Sequence, residues 1–381
     1  GNVVHRWAVS GFPPIMKAGG SLAGCVAYVP GTSECLQMQE VSWLGEPHWS
    51  FGDWSGAGIP VVAARQHHDF QLQGDPVGYY APGQIVAERG STLVLAYGRS
   101  MRPEIRDVEI DDDVIYELDG FGNMTNVIWY GADHVDEFGF SEEARAHLRT
   151  IAPGAVIDWL HGNALSVLGP NRWFDEGRVE FDPKNIMYSS RHANFVAILS
   201  RETGAVVWRV GPDFAGRPEE GLGQFVGQHN PHLIPKGLPG AGNVLVFDNG
   251  GVSGYGEVLN TGSVYRHSRD YSRVVEFDPV TLRIVWEYGG EFAPERFFSY
   301  FVGGAQRLPN GNTLITMGMD GRVVEVTPER QVVWEYRHEP IAEASVRWLY
   351  RAYRVPPEWL PAGVNAAYGN YASWKELFEA R

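Results

Sequence analysis

The chain has 381 residues, 44 % of them hydrophobic, which is enough to bury a substantial core. A formal net charge of -15 and a pI near 5.3 argue against nucleic acid or an anionic membrane as the main partner, though not against a small anionic substrate held in a local cationic pocket. No apolar run approaches the roughly 18 residues of a membrane span.

Composition and periodicity together point to an all-β chain. Gly 46, Pro 24 and 13 % aromatics supply many turns and many rings. Taken from the start, Val3-Val4-His5-Arg6-Trp7 is the first of several β-branched runs that end in Trp. No signal peptide is visible ahead of it, and Gly1 reads as a trimmed end. Cys25 and Cys35 follow, the chain's 2 cysteines. They either bridge in an oxidising compartment or stay as free thiols, and the sequence leaves both open. Asp53-Trp54-Ser55-Gly56 is a degenerate copy of the Trp run.

The run recurs at Asn126–Trp129, Ala205–Trp208, Arg283–Trp286 and Gln331–Trp334, each time behind an alternating strand that ends in a turn. Each pair reads as a hairpin, the outer half of a repeating unit. The inner half is clearest in Ala305–Thr316, where Asn310-Gly311 marks the turn. Its counterparts begin at His68, His161 and His232. Four strands per unit and about six units predict a six-bladed β-propeller spanning residues 1–381 as one domain. Ser141 to Ile151 predicts an inserted helix with Ser141 as its N-cap, and Ser373 to Phe378 a C-terminal helix in an extension from about residue 356. Asp111-Asp112-Asp113 reads as a solvated turn, and Arg351 with Arg354 is too sparse to form a binding patch.

The first strand of each propeller blade lines the central channel. Aligning the inner hairpins brings His67 or His68, His161 or Asn163, His229 or His232, and Gln306 or Arg307 to equivalent places. The second inner strand adds Tyr97, Arg99, Arg191, His192, Asp248 and Asn249. Titratable groups gathered at one channel mouth favour a site, with Trp159 or Trp173 as a wall for an aromatic substrate. Two chemistries fit. His68, His161, His229 and His232 are candidate ligands for a divalent metal (zinc, calcium or iron), with Asp69 orienting a ring, in a lyase, hydrolase or isomerase. The other chemistry needs no metal: one histidine attacks, and its neighbours with Arg191 stabilise an anion. Arg191 favours the second, because a guanidinium repels a dication and matches a sulfuryl or phosphoryl group. A non-catalytic interaction scaffold is the third alternative.

Five segments, Arg65–Asp69, Asp158–Asn163, Ser189–His192, Gly227–His232 and Gly303–Asn312, resemble the bacterial aryl-sulfate sulfotransferase family. The resemblance implies a six-bladed propeller that moves a sulfuryl group between small phenols through a sulfated histidine, with no dissociable cofactor. It implies His229 as the nucleophile, and His161, Arg191 and one of His67 and His68 as holders of the sulfuryl oxygens. His68 is favoured because it precedes the Asp69 strand. Asn163 assists by hydrogen bonding, while His67, His232, Gln306, Trp159 and Tyr97 complete the substrate-binding set. The family also slightly favours the periplasm. Two departures stand out: Ala164 occupies a position where the family often has Ser, and His232 adds an imidazole close to the nucleophile.

Overall fold

β-branched and aromatic residues alternate through short segments punctuated by Gly, Pro, Asn and Asp, so the chain pairs mostly with its immediate neighbours in sequence. The computed structural model describes residues 3–29, 32, 34–54, 65–74, 81–83, 89–212, 221–256, 265–293, 295–339, 347–361 and 364.

Five antiparallel four-strand meanders follow one another. The first holds β1 (Ser10–Met16), β2 (Leu22–Tyr28), β3 (Cys35–Val41) and β4 (Pro47–Phe51). The second holds β5 (Arg65–Leu72), β6 (Thr92–Ser100), β7 (Ile110–Leu118) and β8 (Met124–Tyr130). A single pairing, Cys35 with Gln66, merges these two into one sheet, which also takes in β9 (Ile157–Asp158), parallel to β7. The third unit is β10 (Gly162–Val167), β11 (Ile186–Ser190), β12 (Phe195–Leu199) and β13 (Val206–Val210). Next come β14 (His229–Leu233), β15 (Val244–Asp248), β16 (Arg273–Phe277) and β17 (Ile284–Gly289). The last is β18 (Gly304–Arg307), β19 (Thr313–Met317), β20 (Arg322–Val326) and β21 (Val332–Arg337). The described residues therefore hold five such units where the sequence led us to expect six.

The Trp runs join one unit to the next. Trp208 Nε1 donates to the Pro279 carbonyl at 2.9 Å, and Trp286 Nε1 to the Pro328 carbonyl at 2.9 Å, each in the outer turn of the following unit. Cross-unit ion pairs repeat alongside, Glu117 with Arg201 and Glu276 with Arg307, and Glu325 of the last unit pairs in the same way with Arg354 beyond it. Cys25 and Cys35 are bonded to one another across β2 and β3, which settles the alternative left open above.

The inserted helix is α1 (Glu142–Thr150), and Ser141 caps it by accepting the Ala144 N–H at 3.2 Å. The expected C-terminal helix lies outside the described residues. Asp112 and Asp113 are not in a solvated turn. They sit in β7 at 1 % and 0 % exposure, because buried donors surround them. Asp112 accepts from Ala132 N–H and Trp159 Nε1, and Asp113 from Gly162 N–H and Tyr188 Oη.

Candidate functional site

The same distortion recurs where the inner strands begin. His68, His161, Asn230 and Val302 all have φ between 52° and 56°. Non-glycine residues in this left-handed region cost roughly 1–3 kcal/mol each and concentrate at functional sites. Two of the four fall inside register shifts, His68 between Gln66 and Phe70 and Asn230 between His229 and His232, and His161 directly precedes the shift between Gly162 and Ala164. The strained positions set the equivalence: His68, His161, Asn230 and Val302 correspond. Gln306 falls deeper along its strand. Its side chain is occupied by Arg354, donating to the carbonyl at 2.9 Å and accepting the N–H at 2.7 Å.

His229 is 1 % exposed. Its Nδ1 lies 2.6 Å from Asn249 Oδ1 and 3.0 Å from the Gly227 carbonyl. Asn249 is itself fixed, because Nδ2 donates to the carbonyls of Ser299 and Val302 at 2.8 and 2.9 Å. Both groups facing Nδ1 are thus acceptors, so Nδ1 carries the hydrogen and Nε2 keeps its lone pair. The preceding Gln228 anchors this segment to the third unit, with Nε2 within 3.0 Å of Ser189 Oγ and of the carbonyls of Ser190 and Phe195. Arg191 follows directly. Its N–H donates to the His161 carbonyl at 3.2 Å and Nη2 to Val252 O at 3.4 Å.

His68, His161 and Arg191 are half-buried and His229 is buried. Burial, then the charges of Arg191, Arg351 and His161, hold His229 well below the ordinary histidine value despite its bond to Asn249. His68 is held well below it by burial and then by His161, His67, His229 and Arg191. For His161 the causes are burial, Arg191 and His67, with Asp113 opposing. Burial also lowers Arg191 from its usual value, while Tyr265, Tyr300, Asp158 and Tyr255 oppose. The rings of His68 and His161 lie 4.4 Å apart, the Arg191 N–H bonds to the His161 carbonyl, and the charges of these groups bear on His229 and His68.

The remaining candidates occupy varied places. His67 is 1 % exposed, stacks on Tyr97 at 3.7 Å, and lies 3.0 Å from His68 Nδ1 and 2.9 Å from Asp113 Oδ1. Tyr97 Oη donates to Asp158 at 2.6 Å. Asn163 Nδ2 donates to the Gln228 carbonyl at 2.6 Å, and its Oδ1 is buried without a partner among the described residues. His232 Nδ1 donates to the Asn230 carbonyl at 2.9 Å, and burial pushes the imidazole down to about 4. Trp159 is 0 % exposed and belongs to the core with Phe138 and Phe140, so it does not wall the site. A ring that does stand near these imidazoles is Tyr265, 4.6 Å from His192, which itself stacks on His161 at 4.4 Å.

Three residues carried no sequence signal of the partners they meet here. Asp158 faces both His161 and Tyr97. Asp113 backs His67 and the start of β10. Arg351 is buried against Asp69, at 3.0 Å, and donates to the Asn163 carbonyl at 2.9 Å, so it is a structural clamp. Asp69 is engaged by Arg351 and the N–H groups of Phe70 and Leu165, and orients no imidazole through a hydrogen bond of its own.

Among the described residues, one group of His and carboxylate side chains is close enough to share an ion, Asp158 with His161 and His192. It shares only His161 with the quartet of the metal alternative, His68, His161, His229 and His232. The charge of Arg191 acts on both of its histidines, which disfavours a dication there.

A family model described as Arylsulfotransferase (ASST) matches residues 83–348. Four of the five family-like segments lie inside that span, and Arg65–Asp69 lies just before it. No curated protein matches the chain. Solved structures with a similar trace include a protein of unknown function from Bacteroides caccae (11 % identity, 90 % of this chain and 98 % of that one, TM-score 0.43). A streptogramin B lyase (10 %, 88 % and 72 %, 0.38) and the virginiamycin B lyase of Staphylococcus aureus (12 %, 73 % and 62 %, 0.30) also match. Nothing functional follows from likenesses at that level. The family match covers well over half of the residues, and the chain belongs to the arylsulfotransferase family.

Proposed function

We propose that the chain transfers a sulfuryl group between small phenolic compounds, with His229 as the nucleophile. The observation that carries this reading is the pinned imidazole: Nδ1 donates to Asn249 and Gly227, so the Nε2 lone pair is free to attack. In the first half-reaction Nε2 bonds to the sulfur of an aryl sulfate, and the S–O bond breaks with its electron pair on the phenolic oxygen. In the second, an acceptor phenol takes the sulfuryl group and His229 recovers its lone pair. Arg191 supplies the fixed positive charge for the sulfuryl oxygens, with His68 beside it. Tyr265, whose ring lies 4.6 Å from that of His192, supplies aromatic surface for the aryl ring. Neither half-reaction requires a metal or a dissociable cofactor.

We read the four-strand units as blades around one axis, in a single domain. Support comes from side-chain-to-backbone bonds that link successive inner strands, such as Asp69 to Leu165 and Asn163 to Gln228. The buried Cys25–Cys35 bond favours an oxidising compartment, in keeping with a periplasmic location.

Steady-state kinetics with donor and acceptor both varied test the reading. Parallel double-reciprocal lines are expected, because the sulfuryl group leaves one phenol before the other arrives. Intersecting lines would mean direct transfer and would remove the role of His229.

A further inference from the structure

Sulfuryl transfer between phenols leaves one proton to be moved: the acceptor loses it and the departing phenolate gains it. His161 and its surroundings provide for that proton.

Asp158 sits in β9, held in register by its parallel pairing with Asp111 of β7. Its Oδ1 accepts the backbone N–H of His161 at 2.9 Å. Its Oδ2 accepts Tyr97 Oη at 2.6 Å and contacts His161 Nδ1. The Asp158 carbonyl lies 2.7 Å from His192 Nδ1, and the His192 ring stacks on that of His161 at 4.4 Å. An ionised carboxylate only accepts, so the hydrogen of neutral His161 sits on Nδ1 and the lone pair on Nε2. In that form Nε2 has nothing to donate to a sulfuryl oxygen. It is built to take a proton. The side chain is also 22 % exposed where His229 is buried, so a phenol can reach it.

We propose that Asp158 is the positioning residue that makes His161 the carrier of the phenolic proton. The inference rests on the sulfuryl-transfer reading above and deepens it. As the acceptor oxygen attacks sulfur, its proton moves to His161 Nε2, the S–N bond breaks, and the electron pair returns to His229. Asp158 balances the imidazolium so formed. In the next donor half-reaction the S–O bond breaks, and the same proton passes from Nε2 to the leaving phenolate. Protons, electrons and sulfuryl groups balance over the cycle without a further reactant.

Asp158→Asn tests this. The His161 N–H holds an oxygen at the Oδ1 position, so the amide nitrogen takes the Oδ2 position and donates to Nδ1. The imidazole hydrogen then moves to Nε2, and the lone pair is lost. With a series of para-substituted phenyl sulfates, kcat/KM for the donor, which reads the donor half-reaction alone, should fall about 100- to 10,000-fold for poor leaving groups and far less for activated ones, while kcat/KM for the acceptor falls by one factor whatever the donor. A drop that is uniform across the series, or no drop, overturns the proposal. Should the variant fail to fold, histidine-nitrogen NMR of the native chain decides, with His161 assigned by His161→Gln. A hydrogen on Nδ1 supports the inference, and one on Nε2 overturns it. Intact mass of the native chain mixed with donor separates the two levels. If a sulfuryl adduct on His229 accompanies a uniform Asp158→Asn defect, only the role of Asp158 is lost. If turnover occurs without an adduct, the transfer reading falls and takes this inference with it.

Discussion

Replacing Asn249 with Ala isolates the anchoring of the nucleophile from the nucleophile itself. The substitution removes the 2.6 Å bond to His229 Nδ1 and leaves the 3.0 Å bond to the Gly227 carbonyl. The tautomer should survive, because the remaining partner is still an acceptor. What is lost is one hydrogen bond and the restraint on the ring, about 1–2 kcal/mol, which corresponds to a roughly 5- to 30-fold fall in kcat. The carbonyls that Asn249 served are not orphaned: Ser299 O also accepts Ser272 Oγ at 3.3 Å, and Val302 O also accepts Ser299 Oγ at 3.1 Å. The fold should therefore persist, at a cost of about 1–3 kcal/mol. Asn249→Asp should behave quite differently. It keeps an acceptor for Nδ1 but sets a carboxylate oxygen against two carbonyl oxygens, so a loss of about 3–5 kcal/mol in stability is expected. Single-turnover formation of the sulfuryl adduct and urea unfolding read the two effects separately. A folded Asn249→Ala chain with an unchanged rate would refute the idea that this amide sets up His229.

The buried imidazoles should make the fold sensitive to acid. His232, at about 4 in the native chain against an ordinary 6.5, binds its proton later than the unfolded chain does as the pH falls. The stability it contributes is complete above about pH 6.5 and is lost down to about pH 4, on the order of 3 kcal/mol. His68, His161, His192 and His229 act in the same direction. Urea midpoints at about pH 7.5 and about pH 4.5 should converge for His232→Gln relative to the native chain, and parallel losses would contradict the assignment. Breaking the buried Arg351–Asp69 pair with Arg351→Met should cost about 3–5 kcal/mol, partly recovered by adding Asp69→Asn. A thermal melt unmoved by the single change would show that the clamp holds nothing.

Local pattern carried most of the fold. Alternating strands, the Trp-ended runs at Trp129, Trp208, Trp286 and Trp334, and the Ser141 cap are signals within ten or so residues that found counterparts in elements, whereas Val3–Trp7 forms no strand. The number of units was less legible, because the copies before residue 70 are degenerate and the first two merge through the Cys35–Gln66 pairing. At the candidate site, sequence reasoning singled out the histidines and Arg191 by their places at the ends of the inner strands. It misjudged depth, because the register shifts add residues that a linear alignment cannot see. Gln306 therefore fell beside Arg354 instead of at the mouth. Trp159 was ambiguous in principle: an aromatic residue serves a core or a substrate wall equally well. Asp158, Asp113 and Arg351 were invisible as partners. Their bonds to Tyr97, Tyr188 and Asp69 span 61, 75 and 282 positions, and only the fold brings such pairs together.

The most direct test mixes the native chain with an aryl sulfate, withholds the acceptor, and maps the sulfuryl group by intact mass and peptide sequencing. The pinned imidazole predicts a single group, on His229, that disappears when a phenol is added and never forms on His229→Ala. Release of phenol without any bound sulfuryl group, or a group carried by another residue, would contradict it.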